Sequence, residues 1–600
     1  MKAFLFSTLF FTTNVASICF GFNVDIRADS NRDGIVDLNG TSDLDDKLSS
    51  SNFAGAILLP NIGDTDRRCS QLITNTTSSV ELEACNDASD DIQRAPQFMA
   101  PLRTVPLPDL HPDSFGLVRV DDPVARANTR VFRRQGGQWV FTDSNFAFSA
   151  SQLEAGLLLG IDARKTRTPN STRTTGWDGR VAVDFTVYNG SDVATDRVIL
   201  RVAPVLTHHH AQEARELLTT AGRVGENFFQ ARFLASLQNA LVETRSRLPV
   251  FEFSDSRDIW AQDFVEPGYV SMPGPTGSVV LRVMIRSAQD DRPAGRQVFQ
   301  LLRNTGRAAV QYLGSEYDQI DSMGNLETIP PYEHRNKRYP AGRIIMGRHQ
   351  ETVPYILEYM RAQELQDPLL LNTDCLAIGH VDEIVEFLPV NSSRGWTMLV
   401  ADPMAGLQIL QNIQRQGLGD IRAFSRMNDS EGNPSDLFQI PAGLHGVPSD
   451  SLEEVLSTRG IIEVNHRMAT CIDENVQRLQ EETGITDREI FRVPMMFRTG
   501  LTFPRGVGIS SERNNSDHLA AALYPGVINN LVLSRSQIVA PKPWGPVVNG
   551  TDIMAAAAAE VYNRIGYNAT YIDNWNSHHT WGGEVHCGTN TIRDATTQWW

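Results

Sequence analysis

The stretch Arg180-Val-Ala-Val-Asp-Phe-Thr-Val-Tyr188 alternates apolar and polar residues. Successive side chains of a strand point to opposite faces, so this alternation predicts a half-buried β-strand. A second apolar run, Val198-Ile-Leu-Arg-Val202, follows it, and the surrounding segment is rich in Asp, Ser, Thr and Pro. We therefore predict a sandwich-like β domain over residues 22–205.

From residue 206 onward, helical and strand patterns alternate, which predicts a larger α/β domain over residues 206–600. Helical spacing is found at Gln212–Thr220, Pro354–Gln363 and Asp552–Ile565, and Gly566 follows the last of these in a C-cap position. The last part of this domain carries strands and the turn Pro541-Lys-Pro-Trp-Gly-Pro546. No simple linear repeat is visible, and 600 residues exceed one ordinary core.

Composition limits the classes of partner. The chain has 54 Lys and Arg against 71 Asp and Glu, a net charge of -17. Nucleic-acid binding depends on Lys and Arg that neutralise phosphates, so this acidic balance argues against it. Calcium ions or cationic ligands suit the charge better.

Residues 1–21 have the pattern of a secretory signal peptide. A positive start at Met1-Lys2 precedes an apolar run over Ala3–Phe11, and small residues follow around Ala16 and Gly21. Nine Asn-x-Ser/Thr sequons agree with export and glycosylation. They are Asn39, Asn75, Asn170, Asn189, Asn391, Asn428, Asn514, Asn549 and Asn568. No later apolar stretch of about 18 residues occurs, so we predict a secreted protein without a membrane span.

The cysteines fit an oxidising compartment. Cys19 belongs to the signal segment, which leaves an odd number of five. Cys69 and Cys85 are the natural first pair, and Cys375 with Cys471 is a possible second. Cys587 is then left over, either as a reactive thiol or as an intermolecular link.

An acidic loop in the first domain reads Asp29-Ser-Asn-Arg-Asp-Gly-Ile-Val-Asp37. Its oxygen-bearing side chains resemble the first half of an EF-hand calcium loop, with Asp29, Asn31, Asp33 and Asp37 as candidate ligands. The Glu expected at loop position twelve is missing, and a solvated acidic loop is the alternative. Further acidic residues are candidates for a multi-ion cluster: Asp43, Asp45, Asp46, Asp64, Asp66, Asp87, Asp90 and Asp91.

Three separated segments carry residues suited to catalysis. They are Trp260-Ala-Gln-Asp-Phe-Val-Glu266, Gly379-His-Val-Asp-Glu383 and Gly582-Gly-Glu-Val-His-Cys-Gly-Thr-Asn590. In an extended strand His380 and Asp382 share one face, which suits an acid/base and cation-binding pair. Each segment alone also has a purely structural interpretation, and spacing does not show that the three meet.

The residues resemble one known family, the peptidyl-arginine (protein-arginine) deiminases. The likeness runs from Arg201-Val-Ala-Pro204 to the end of the chain, with matching blocks in the same order. These are Met323-Gly-Asn-Leu-Glu327, Gly379–Glu383, Pro541–Gly550 and Gly583–Asn590. The resemblance implies a catalytic α/β propeller of the pentein type with pseudo-fivefold symmetry. It also implies an immunoglobulin-like calcium-binding domain over residues 22–205, without the amino-terminal domain of animal members.

The resemblance assigns roles residue by residue. Cys587 matches the nucleophile, His380 the general acid/base, and Asp263 and Asp382 the pair that grips the guanidinium of an arginine. The implied reaction converts peptidyl-arginine to citrulline and ammonia through a covalent thiouronium on the cysteine. Arginine-bearing proteins or peptides are the implied partners.

Calcium ligands and substrate contacts are carried over in the same way. Near the active site the matching calcium ligands are Gln262, Glu266, Met323, Leu326 and Glu327, the two apolar ones through their carbonyls. Phe264 stands where a second ion usually has a carboxylate, so we predict a calcium-activated enzyme with fewer ions than the animal forms. Trp260 matches a substrate contact, and either Arg286 or Arg292 is expected to reach the substrate backbone. Trp581 stands where animal members carry a basic residue.

Three alternatives stay open from the sequence. One is another pentein reaction, either free-arginine hydrolysis or amidino transfer. The others are a papain-like protease and a calcium-binding adhesion protein without activity. For His208-His209-His210 a solvated interdomain linker is favoured over a transition-metal site.

Overall fold

The structure is a computed structural model that describes residues 22–74, 76–170, 176–222, 227–255, 257–314, 318–427, 447–503, 513 and 516–600. The predicted signal peptide with Cys19 lies outside these residues, as do the sequon asparagines Asn75, Asn428 and Asn514. Within the described residues no helix combines the length and apolarity that a bilayer span requires.

The first 202 residues contribute two five-stranded sheets. Their elements are β1 (Ile26–Ala28), β2 (Ala56–Leu58), α1 (Ser79–Ala84), β3 (Ala100–Thr104), β4 (Phe115–Val120), α2 (Pro123–Ala127), β5 (Thr129–Gln135), β6 (Gln138–Phe141), β7 (Phe148–Ser149), α3 (Ala150–Ala155), β8 (Leu158–Ala163), β9 (Arg180–Asn189) and β10 (Asp192–Val202). One sheet has the order β1-β3-β8-β5-β6 and the other β2-β10-β9-β4-β7. The alternation predicted over Arg180–Tyr188 is confirmed, since Val181, Val183 and Phe185 are fully buried. Residues from both sheets belong to one hydrophobic cluster.

The elements from residue 206 onward alternate as predicted. They are β11 (Leu206–Thr207), β12 (Ala214–Thr220), α4 (Phe228–Glu243), β13 (Val250–Phe253), β14 (Val265–Gly274), β15 (Gly277–Arg286), β16 (Arg307–Gln311), β17 (Leu326–Ile329), β18 (Tyr332–His334), β19 (Lys337–Tyr339), β20 (Arg343–Arg348), α5 (Leu357–Gln363), β21 (Leu369–Asn372), β22 (Val385–Pro389), β23 (Trp396–Asp402), α6 (Pro403–Ile413), α7 (Leu452–Ser457), α8 (Ile461–Thr483), β24 (Ile490–Pro494), β25 (Phe497–Arg498), β26 (Ala521–Ala522), β27 (Leu531–Val532), β28 (Gln537–Pro541), β29 (Val547–Val548), β30 (Thr551–Asp552), α9 (Ile553–Arg564), β31 (Asn568–Ile572) and β32 (Thr589–Arg593).

Five sheets in this region repeat one topology. Their shared three-strand units have the orders β14-β15-β16, β17-β20-β21, β22-β23-β24, β27-β28-β31 and β32-β12-β13, and β11 extends the first sheet by pairing with β14. In each, the first two strands are antiparallel and the last two are parallel. Parallel neighbours need a crossover, and helical segments supply it in all five. The expected fivefold propeller is therefore visible in the strand pairing, although the sequence shows no linear repeat.

Two of the three helix predictions are confirmed. The third is wrong. Asp552 caps α9 by accepting a hydrogen bond from the Ala555 amide, and Gly566 ends it with a φ of 84°. Leu357–Gln363 is the helix expected near Pro354. Ala214–Thr220 is instead β12, because it is an inner strand between β13 and β32, where paired backbone outweighs the helical spacing.

The acidic loop lies at the contact between the two parts of the chain. A Cβ added at Gly34 would sit 2.2 Å from the carbonyl oxygen of Gly274, at the tip of the β14–β15 hairpin. Gly34 also has a φ of 90°, a left-handed conformation that favours glycine. The loop is thus fixed against the larger domain at the position where the sequence places its glycine.

The disulfides follow the predicted pairing. Cys69 is bonded to Cys85 and Cys375 to Cys471, with Cα–Cα separations of 5.4 and 6.5 Å. Among the described residues Cys587 is the free cysteine, and it is buried.

Candidate active site

Five chain segments meet at one place because each directly precedes the first strand of one of the five sheets. Asp263 precedes β14, Gly324 precedes β17, Asp382 precedes β22, Asn529 precedes β27 and Cys587 precedes β32. A Cβ added at Gly324 would lie 2.8 Å from Asp263 Oδ1 and 3.6 Å from Asp382 Oδ2. The repeated topology thus explains how residues more than 300 positions apart in the sequence form one cluster.

The Cys587 thiol is held by Asn529 and faces Asp382. Cys587 Sγ lies 3.4 Å from Asn529 Oδ1 and 3.7 Å from Asp382 Oδ2. The Cys587 amide donates to the same Asn529 oxygen at 3.2 Å. Burial, reinforced by the Asp382 and Asp263 carboxylates, raises the pKa of the Cys587 thiol well above its usual range. The thiol is therefore protonated at neutral pH in this structure.

Asp263 and Asp382 are buried, with 6% and 3% of their surface exposed. Asp382 Oδ2 accepts hydrogen bonds from Asn529 Nδ2 at 2.8 Å and from His586 Nδ1 at 2.9 Å. In the part of the chain that the structure describes, Asp263 Oδ1 and Asp382 Oδ1 have no hydrogen-bond partner. Burial also raises the pKa of Asp263, which Arg292 and His380 offset only in part. Two buried carboxylates with open oxygens suit a ligand rich in N–H donors, such as a guanidinium.

His380 lies in a different local structure from the predicted strand. Residues Val381–Glu383 form a 3-10 turn, and Glu383 Oε1 accepts hydrogen bonds from the amides of Gly379 and His380. The strand prediction is wrong here, because this turn completes its own hydrogen bonds before β22 begins at Val385. His380 Nε2 donates to the Gln319 carbonyl at 2.8 Å, which leaves Nδ1 toward Asp263 and Gly324.

A pocket of about 70 Å³ opens onto this cluster. Its described lining residues are Trp260, Asp263, Gln319, Ile378, His380, Glu383, Phe503, Trp581, Gly582, Gly583 and Cys587. Trp260 and Trp581 give it an aromatic wall. No Lys or Arg stands among these lining residues.

The two arginines expected at the substrate do not line the pocket. Arg286 is fully buried, and its Nη2 donates to the carbonyl of Asp290 at 2.9 Å. Arg292 pairs with Asp258 through Nε at 2.6 Å and Nη2 at 2.8 Å, and its Nη1 lies 3.6 Å from Asp263 Oδ2. Both guanidinium groups are held by the protein interior in this structure, and a contact of either one with a substrate backbone stays a prediction.

Part of the expected calcium site lies in a second cavity of about 30 Å³, which His586 also lines. Gln262, Glu266 and Glu327 line it, whereas Met323 and Leu326 do not. Burial raises the pKa of Glu266 well above its usual range, and the Glu327 carboxylate adds to the shift. Burial raises the pKa of Glu327 to about 7. Two crowded, buried carboxylates fit a divalent cation.

The acidic loop is folded around its own amides. Asp29 Oδ1 and Oδ2 accept hydrogen bonds from the amides of Asp33 and Gly34 at 3.0 and 2.9 Å. Burial raises the pKa of Asp29 to about 6. The hydrogen bond from the Gly34 amide lowers this pKa, whereas the nearby Asp43 and Asp33 carboxylates raise it further. Asp37 Oδ2 accepts from the Ser42 hydroxyl. The Asn31 side-chain oxygen likewise accepts a hydrogen bond from the Asp33 amide. Local donors thus occupy these oxygens, and calcium binding by the loop stays a prediction.

The more distant acidic residues do not join this loop in one cluster. Asp90 and Asp91 pair with Arg94 and Arg164. Asp64 instead accepts hydrogen bonds from the Ser70 amide and hydroxyl beside the Cys69–Cys85 disulfide. Arginines thus pair with Asp90 and Asp91, whereas Asp64 Oδ1 has no hydrogen-bond partner among the described residues, and a multi-ion cluster that includes these three stays a prediction.

Sequence reasoning missed Asn529 and His586, although both contact Asp382. His586 stood inside a quoted motif beside Cys587 but received no role. Asn529 could have been found from its position two residues before the apolar pair Leu531-Val532, which forms β27. Cys587 lies two residues before β32 in the same way. That equivalence depends on the fivefold repeat, which only the strand pairing shows.

The family profile described as Protein-arginine deiminase (PAD) matches residues 192–600. The chain belongs to this family. Human protein-arginine deiminase type-3 is 30% identical over 421 residues, which cover 69% of this chain and 58% of that protein. Rat protein-arginine deiminase type-4 is 29% identical over 421 residues, covering 68% and 57%. The chain thus spans less than two thirds of the length of these family members.

Solved structures of lower similarity also match. The agmatine deiminase of C. jejuni gives a TM-score of 0.32 at 9% identity and covers 66% of this chain and 97% of that one. The Enterococcus faecalis agmatine deiminase gives 0.33 at 10%, with coverages of 65% and 96%. At these TM-scores the likeness supports no inference about this protein-arginine deiminase family member.

Proposed function

We propose that this chain hydrolyses peptidyl-arginine to peptidyl-citrulline and ammonia, with Cys587 as the nucleophile. The observation that carries the proposal is the pair of buried carboxylates, Asp263 and Asp382, each with an open oxygen beside the only free thiol of the described residues. A guanidinium supplies five N–H donors and one positive charge, which satisfies both carboxylates together.

Binding of the cation also activates the thiol. Burial and the two carboxylates hold the pKa of Cys587 high, and the single positive charge of a guanidinium between the carboxylates offsets part of their negative charge. The Cys587 proton passes to His380 Nδ1, which makes the imidazolium, and the thiolate attacks the central guanidinium carbon to give a tetrahedral adduct. In this mechanism the substrate itself lowers the barrier to forming the nucleophile.

His380 moves the protons through Nδ1. Its Nε2 is committed to the Gln319 carbonyl, so Nδ1 is the atom available to the reacting groups. As an imidazolium, His380 protonates the leaving nitrogen, the C–N bond breaks and ammonia departs. The remaining thiouronium is attacked by water, from which Nδ1 accepts a proton. The C–S bond then breaks, releasing the citrulline ureido group and the Cys587 thiolate.

Calcium dependence is part of the proposal. Gln262, Glu266 and Glu327 would hold an ion in the second cavity, and Asp29 to Asp37 would hold another in the acidic loop. A bound ion would supply fixed positive charge that neutralises Glu266 and Glu327. Gln262 and Glu266 lie on either side of Asp263 in the sequence. Neutralising the charges of Glu266 and Glu327 would therefore stabilise the segment that positions Asp263, one of the proposed guanidinium-binding carboxylates.

Peptide-bound arginine fits the pocket better than the free amino acid. Among the described lining residues no Lys or Arg is present to pair with a free α-carboxylate. The rim carries Trp260, Phe503 and Trp581, whose rings suit contact with a peptide chain. Citrulline formed from blocked arginine peptides and from free arginine, compared under the same conditions, tests this preference.

The first domain and the location of the protein extend the proposal. Two sheets that share one core support an immunoglobulin-like calcium-binding domain over residues 22–205 ahead of a catalytic domain over residues 206–600. Two disulfides support an extracellular protein with a removed signal segment and glycosylated asparagines. Mass spectrometry of the secreted protein before and after glycosidase treatment checks both the mature start and the sugars.

Mass spectrometry of an arginine peptide incubated with the wild type and with Cys587→Ala tests the reaction. Replacement of one imino nitrogen by oxygen adds about one dalton to the peptide. The gain is expected with the wild type and absent with Cys587→Ala. Citrulline formed by the variant would refute the mechanism, and cleaved peptide bonds would favour a protease.

A further inference from the structure

The histidine run is not the solvated linker that the sequence favoured. His208 and His209 are 7% and 8% exposed, and His210 reaches the second cavity. In the part of the chain that the structure describes, one group of three ligand atoms from His, Cys, Asp or Glu lies within 4.8 Å of one another. It consists of His210, Glu327 and His586.

Both imidazoles present Nε2 as a lone-pair donor. His210 Nδ1 lies 3.0 Å from the carbonyl oxygen of Phe387 and therefore donates its proton there. His586 Nδ1 donates in the same way to Asp382 at 2.9 Å. Metal-binding histidines are oriented by such a hydrogen bond from the other ring nitrogen to a carbonyl or carboxylate. Both rings thus offer Nε2 to an ion. On His586, whose pKa the Glu327 and Asp382 carboxylates raise to about 9 against the effect of burial, the ion would displace a proton from Nε2.

Distances and charge around the cavity also suit a cation. His586 Nε2 lies 3.4 Å from Glu327 Oε1, close to the edge of about 3.3 Å in a tetrahedron with zinc bond lengths. Glu266 lines the same cavity and adds a second carboxylate, while the Arg593 guanidinium, also in the lining, offsets part of the negative charge. His208 is a further lining residue, and its buried Nε2 has no hydrogen-bond partner among the described residues.

We propose that His210, Glu327 and His586 form a binding site for a divalent transition metal of the Zn²⁺ type. Two nitrogen ligands and one carboxylate are typical of zinc sites, whereas calcium takes oxygen ligands. The fourth position belongs to Glu266 or to water. The cavity of about 30 Å³ accommodates one ion.

The site shares ligands with the proposed calcium site, so the two ions exclude each other. Glu327 binds the metal in both, and His586 adds a contact that calcium does not use. A transition metal on His586 Nε2 also fixes this ring against Asp382, one of the proposed guanidinium-binding carboxylates. Zn²⁺ is therefore expected to compete with Ca²⁺ at a position next to Cys587.

Optical titration of the metal-free full chain with Co²⁺ tests the site without any turnover. The wild type is expected to bind one equivalent with the intense visible bands of tetrahedral Co²⁺, and Zn²⁺ should displace it. His210→Gln should weaken Co²⁺ and Zn²⁺ binding at least about 100-fold and leave Ca²⁺ affinity within a few-fold. The matched control is His209→Gln, which changes a neighbouring buried histidine outside the cavity and should bind Co²⁺ like the wild type.

Equal Co²⁺ affinity in the wild type and His210→Gln overturns the proposal, as does a wild type without tetrahedral bands. If His210→Gln does not fold, modification of the wild type by diethyl pyrocarbonate decides instead. Zn²⁺ should then protect His210 and His586 but not the exposed His111. Equal labelling with and without Zn²⁺ refutes the site. Because these measurements involve no deimination, their outcome is independent of the proposed reaction.

Discussion

Gly324→Ala should remove activity by adding one methyl group inside the guanidinium-binding cluster. The new Cβ would lie 2.8 Å from Asp263 Oδ1 and 3.0 Å from His380 Nδ1. Ordinary van der Waals contact begins near 3.4 Å, so the Asp263 carboxylate must move by about 0.6 Å. A guanidinium bound to that carboxylate would be displaced with it. A misplacement of about 1 Å costs on the order of 100-fold in rate, which corresponds to about 2.7 kcal/mol of transition-state stabilisation.

The assay is kcat/KM for citrulline formation from a blocked arginine amide, measured beside a thermal unfolding curve. Gly306→Ala is the matched control, because a Cβ there meets only Asn304 Oδ1 at 3.9 Å. Its activity should equal that of the wild type. Both variants should unfold near the wild-type temperature. A Gly324→Ala enzyme with wild-type kcat/KM would show that the guanidinium does not occupy the space between Asp263 and His380.

Four further outcomes are expected. Asn529→Leu should lower kcat/KM about 100-fold, because it removes the hydrogen bonds that join Asp382 and the Cys587 loop, and unchanged kinetics would contradict this. Replacing both Cys375 and Cys471 by Ala should lower the free energy of unfolding by about 4–5 kcal/mol, given a sequence separation of 96, as measured by urea titration. Exhaustive chelation should abolish citrulline output, and calcium but not magnesium should restore it; unchanged output refutes calcium dependence. Burial lowers the pKa of His349 to about 4 and that of His578 to about 3, so the unfolded chain binds more protons below pH 6.5. Compared with a variant in which Gln replaces either ring, the wild type should lose about 1.4 kcal/mol of unfolding free energy per pH unit as the pH falls from 6.5 to about 4. The comparison is needed because buried carboxylates such as Glu327 have the opposite effect in both proteins, and a difference that does not change with pH would contradict the burial.

Local patterns predicted the parts of the fold that local physics determines. The alternation at Val181, Val183 and Phe185 became β9, and Asp552 with Gly566 marked the ends of α9. The helix predicted over Gln212–Thr220 failed because its pairing partner, β32, comes from the far end of the domain. Propensity carries no information about such a partner.

In the candidate site, too, the sequence predicted individual residues but not the long-range arrangement that brings them together. Cys587 was found by counting cysteines, and Asp263, His380 and Asp382 by resemblance of their motifs. Their meeting follows from the repeat of five sheets, which leaves no periodicity in the sequence. Burial explains the remaining differences: Arg286 and Arg292 look like substrate contacts in the sequence but serve as internal counter-charges and loop supports in the structure.

The pairing of β32 with β12 determines when, during folding, Cys587 reaches the other residues of the candidate site. β12 pairs with β32 at Thr219↔Thr589 and Ala214↔Arg593. β12 is therefore synthesised long before the strand with which it pairs. Contacts this distant in sequence form slowly during folding. Until they form, Cys587 is separated from Asp263 and Asp382. Under the proposed mechanism, a chain in which β32 has not yet paired with β12 is therefore expected to be inactive toward arginines, including its own.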